Sequence, residues 1–179
     1  MNPFQSLRDY EEFVYTLKQR FPSVQRSTLV VVRRGKRMGT LQGEIAFAQG
    51  YRITLKERLS FDEGPVVIED YGYELWHNAD KIAWYDAQPH PDDPTLASTY
   101  PHHKHIPPDI RHHRMSAPDM SFTQPNLPVL IREIEELLVG HVTVAGGESV
   151  LDRDRGSANH AVQRNPRPTP AAVIANSVG

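Results

Sequence analysis

The chain has 179 residues, 39% hydrophobic, with 15 prolines, no cysteine and a net charge of -2. That length suits one domain with a useful core plus irregular segments. The absence of cysteine excludes disulfides and thiolate zinc sites, and no apolar run reaches the roughly 20 residues that a membrane span needs. The start, MNPFQSLRDYEEF, carries acids where a secretory leader is basic and then apolar, so a cytoplasmic protein with no membrane partner is expected. Residues 1–60 hold 11 Lys/Arg against 5 Asp/Glu, and residues 61–100 hold 1 against 9. Either this segregation draws an anionic polymer to one side, or the charges interleave once strands pair.

The predicted fold is α+β: an antiparallel sheet of about five meandering strands with an N-terminal and a C-terminal helix packed on it, plus a long Pro/His-rich loop. Leu7, Tyr10, Val14, Leu17 and Phe21 recur at helical spacing, Ser6 and Asp9 resemble a capping box, and Pro22 forces an end. Ser27–Arg33 is continuous and β-branched, as for a strand covered on both faces. After the basic turn Arg33–Arg37, residues 41–47 alternate, and so do 51–59, where Arg52, Lys56 and Arg58 share one face. Val66–Trp76 places Tyr71, Tyr73 and Leu75 together, and Lys81–Asp86 returns as the fifth strand.

From Pro89 to Pro128 the chain carries nine of its prolines, which bars a central strand or a helix interior. Leu127, Leu130, Ile131, Ile134, Leu137 and Leu138 then trace one helical face, with Asn126 as its cap and Gly140 as its end. The domain spans 1–142, with its histidine-rich loop at 89–125. Residues 143–179 read as a disordered tail.

Six of the nine histidines lie in that loop, at His90, His102, His103, His105, His112 and His113. Paired imidazoles exchange protons near pH 7, a lysine among them supplies fixed positive charge, and an aspartate fixes a ring's tautomer. Asp86, His90, His103, Lys104 and His105 can supply these parts without a metal. Two other readings stay open: a divalent ion held by His90, His103 and His105 with Asp86, and a loop whose histidines are purely structural. Tyr73, Lys56 and Arg58 are candidate substrate contacts, against a core role for the tyrosines and a solvated face for the cations.

The order Tyr71-x-Tyr73, Tyr85-Asp86, His90, Pro101-His102-His103-Lys104-His105 and a closing Leu/Ile/Glu-rich helix resembles the TumE-like toxin family of bacterial toxin–antitoxin systems. The resemblance covers roughly Ser27 to Val139. It implies a small cytoplasmic toxin with a cognate antitoxin protein as partner and leaves homodimerisation open. Many small toxins cleave RNA, so by analogy of role it also implies a metal-independent ribonuclease with an RNA substrate and no cofactor. His103 and His105 would then be the acid and base, Lys104 would stabilise charge, and Asp86 would orient a ring. A non-enzymatic nucleic-acid- or protein-binding regulator with a structural histidine loop is the alternative.

Overall fold

Residues 2–62, 64–89 and 94–145 are described in the structure, a computed structural model. Helix α1 (Leu7–Tyr15) opens on the expected capping box: the Ser6 side chain accepts from the Asp9 N–H, and the Ser6 N–H donates to the Asp9 carboxylate at 2.9 Å. The apolar stripe reaches Leu17, but the helix breaks at Thr16 and resumes as α2 (Leu17–Arg20). The Thr16 hydroxyl bonds back to the Glu12 carbonyl at 2.6 Å, competing locally with the helical ladder.

Eight antiparallel strands follow: β1 (Arg26–Ser27), β2 (Val30–Arg34), β3 (Met38–Ala46), β4 (Tyr51–Ser60), β5 (Val67–His77), β6 (Asp80–Asp86), β7 (His103–His105) and β8 (Arg114–Ser116). Their order is β1-β3-β4-β5-β6-β7-β8, and β2 also pairs with β3. The expected meander is present, yet the sheet exceeds about five strands for two local reasons. The first predicted strand is split in two. Gly43, at φ +139°, approaches its gap so closely that a Cβ would stand 2.6 Å from the Thr28 carbonyl oxygen. In addition, the histidine loop contributes β7 and β8, proline-free triplets kept short by Pro101, Pro107 and Pro118.

Ser27–Arg33 is not covered on both faces as its apolar run suggested. This segment lies at the sheet edge, pairs only with β3, and leaves Val30 45% exposed. Helix α3 (Leu127–Ala145) buries Leu127, Leu130, Ile131 and Ile134 as its period requires. Two of its predicted ends differ. Asn126 receives the Val129 N–H on its backbone carbonyl, but its side chain serves Ser121 and Tyr73 instead of capping. Gly140 is passed in helical conformation: a mid-helix glycine costs only about 1 kcal/mol relative to alanine.

Residues paired across an antiparallel ladder share a face. The face carrying Glu57, Tyr73, Tyr85 and Lys104 receives the helices: Tyr10 of α1 bonds Glu57, and Glu133 of α3 bonds Tyr85 and Lys104. The opposite face carries Lys56, Arg58, Trp84 and Asp86. The two charge-biased segments of the chain do interleave, through Arg37–Asp62 and Arg58–Glu69. Residues Met1–Gly147 form one unit. The predicted tail lies outside the described residues from 146 onward, as does His90.

Candidate functional site

Two neighbouring rows of side chains cross the face opposite the helices. One runs Gln42, Lys56, Gly72, Asp86, His103 and Ser116, and the next runs Thr54, Glu74, Trp84, His105 and Arg114. Asp86 ends β6 directly across from His103, and His105 is two residues further along β7, on the same side. Period-two alternation thus brings together three of the predicted residues.

The result is a buried cluster: Asp86 is 4%, His103 1% and His105 0% exposed. His103 Nε2 contacts Asp86 Oδ1, and His105 Nε2 stands 3.6 Å from Asp86 Oδ2. The two rings lie 5.1 Å apart, and Trp84 stacks on His105 at 4.3 Å and 19°. Burial above all holds the His105 ring below the usual imidazole range; Asp86 pulls it up, while Arg114 and His103 push it down.

Beside the cluster lies a cleft of about 320 Å³, lined by Lys56, Arg58, Asp70, Tyr71, Gly72, Trp84, Asp86 and Gln88 among others. Gly72 is its floor. It sits between Lys56 and Asp86 in the row, and a Cβ on it would meet nothing within 4 Å. The missing side chain joins the cationic end of the cleft to the carboxylate. Arg58 shares its charge with Glu69 at 3.4 Å, whereas Lys56 makes no ion pair among the described residues.

The other predicted residues are placed elsewhere. Lys104 faces the helices, where its ammonium pairs with Glu133 at 2.7 Å and lies over the Tyr85 ring at 5.2 Å. It lines a separate groove of about 920 Å³ against α3, so it does not stand between the two histidines. Tyr73 is fully buried, donates to Glu57 at 2.7 Å and stacks on Tyr71 at 4.7 Å, which is a core role, not a substrate contact. His102 shares that side: its Nδ1 meets the Tyr71 hydroxyl at 2.8 Å, and burial lowers its pKa. His112 and His113 are exposed, His112 beside Asp109 at 2.9 Å.

Sequence reasoning overlooked Gly72, Trp84 and Arg114. Arg114 pairs with His105 across the β7–β8 ladder, and its Nε is buried without a hydrogen-bond partner among the described residues. The signal for Trp84 was its two-residue step from Asp86. That same step in His103-Lys104-His105 already separates the lysine from the two rings.

The fold and site thus define a small α+β protein with a buried carboxylate–imidazole cluster in one face of an antiparallel sheet, beside a cleft lined by two cations and two carboxylates. The match to the family model described as Toxin TumE extends over residues 13–138, and the chain belongs to that toxin family. Neither a curated protein nor a solved structure matches it. No helix among the described residues is long and apolar enough to cross a membrane.

Proposed function

We propose that this chain is the toxin component of a toxin–antitoxin pair, and that it acts by cleaving RNA at the Asp86–His103–His105 cluster. The carrying observation is that Asp86 belongs to two structures at once: it contacts His103 and it lines a cleft to which Lys56 and Arg58 also contribute. Lys56 and Arg58 are suited to neighbouring phosphates, and Trp84 offers a partly exposed ring in the same cleft. A ribose 2′-hydroxyl placed against Asp86 would give up its proton to the carboxylate and attack the adjacent phosphorus; the bond to the 5′-oxygen breaks, that oxygen takes a proton from water, and a 2′,3′-cyclic phosphate remains. His103 and His105 lie too deep to touch the substrate and act behind the carboxylate.

The test is tightly induced expression in a bacterium, following growth and bulk RNA in wild type, Asp86→Asn and His103→Ala/His105→Ala. Growth arrest with RNA fragmentation in wild type only, relieved by the neighbouring antitoxin gene, is the expected result. Steeply salt-dependent RNA binding without cleavage would replace the ribonuclease with a binding protein. A folded wild type that is harmless when expressed alone would remove the toxin mechanism itself.

A further inference from the structure

We propose that Asp86, His103 and His105 form a binding site for one divalent transition-metal ion with zinc-like ligand preference. The inference deepens the ribonuclease reading. It relies on that reading for what the ion does, but not for whether the ion binds.

Geometry carries it. The three residues offer one carboxylate oxygen and two imidazole nitrogens, all within 4.8 Å of one another and all buried. Both rings turn Nε2 toward the same carboxylate, one to each oxygen. At 3.6 Å the His105 approach is too long for a hydrogen bond, so hydrogen bonding to Asp86 does not explain why that ring points inward. Tetrahedral donors bound to zinc at about 2.0–2.2 Å stand about 3.4 Å from one another; the His105–Asp86 separation of 3.6 Å is close to that, and the His103–Asp86 pair would open slightly to admit the ion.

The surroundings agree. Both strands are locked in register, Asp86 opposite His103 and Trp84 opposite His105, so the donors sit on paired backbone. Trp84 stacked on His105 restricts that ring further. A desolvated carboxylate with two imidazoles is favourable when a cation is shared among them. Two nitrogens and one oxygen suit zinc, cobalt or nickel better than magnesium or calcium, which prefer all-oxygen shells. Three protein ligands leave a coordination position open, and Asp86 borders the cleft from which water or a phosphate oxygen would fill it. Arg114 opposes a cation by charge, but its Nε, without a hydrogen-bond partner among the described residues, is suited to a phosphate that also reaches the ion.

The experiment uses the full chain, stripped with a chelator, dialysed, and titrated separately with zinc and with cobalt(II). Calorimetry reads the stoichiometry, and visible absorption reads the cobalt environment. The expected result is one saturable equivalent per chain, cobalt bands of a low-coordinate N/O site, and a melting temperature that rises with ion concentration. Asp86→Asn and His105→Gln should weaken binding by about 100-fold or more, while the exposed pair His112→Ala/His113→Ala should leave it unchanged. Absence of saturable binding by the folded wild type, or wild-type affinity in Asp86→Asn, overturns the site even if other variants fail to fold. Ion binding without RNA cleavage upholds the site and removes the ribonuclease. RNA cleavage by a chain that binds neither ion does the reverse.

Discussion

Two buried carboxylates sit on opposite faces of this one sheet, and the company each keeps separates architecture from chemistry. Glu57, 1% exposed, faces the helices and meets hydroxyls: Tyr10 donates from α1, Tyr73 donates from β5 at 2.7 Å, and Asn126 reaches the Tyr73 oxygen at 2.9 Å. Burial pushes its carboxyl pKa up, the two hydroxyls pull it back, and both tyrosines are pushed up in turn. These partners neither carry charge nor bind metal, so the cluster ties helices to sheet. Asp86, 4% exposed, faces away from the helices and meets two imidazoles beside a cleft. Burial is similar, but partners that can accept a proton or a metal turn the second carboxylate toward function.

The comparison breaks most visibly if the two acids are exchanged in role. Asp86→Asn should lower RNA cleavage by about 10²–10⁴-fold, whereas Glu57→Gln should leave it near wild type once folding is verified. Cleavage rates on a labelled RNA check both, and equal losses would dissolve the distinction. Filling the cleft is next. Gly72→Val should stabilise the strand by up to about 1 kcal/mol while lowering cleavage by about tenfold or more, as read by urea titration beside the same assay.

Stability separates the pair from the other side. Glu57→Leu should cost about 1–3 kcal/mol for each buried hydroxyl left without its acceptor, measured by chemical denaturation. The pH dependence has a definite sign. A raised folded pKa means that the native chain holds the Glu57 proton more tightly than the unfolded chain does. Its contribution is therefore full below about 4.3 and is lost as pH rises through the folded value. Glu57→Gln should flatten that fall in a series of melting temperatures. The smallest effect belongs to Lys104→Ala: about 0–1 kcal/mol from a partly exposed pair with Glu133, and no change in cleavage. A loss of cleavage comparable to Asp86→Asn would return Lys104 to the site.

The sequence by itself determined the local elements and the cast of the cluster. Ser6 and Asp9 cap α1, period two marks β3 to β6, and period 3.6 marks α3, because each signal is written within a few neighbouring residues. Asp86, His103 and His105 were legible as chemistry-bearing residues for the same reason. Only the tertiary structure decided that Gly72 opens a cleft, that Trp84 and Arg114 flank His105, and that Tyr73 belongs to Glu57. Each of these depends on which residue stands opposite which across a ladder, a matter of register between strands distant in the chain. Pairing of β6 with β7 turns a proline-rich stretch that reads as loop into the wall of a site, because long-range hydrogen bonding has no signature in either segment alone.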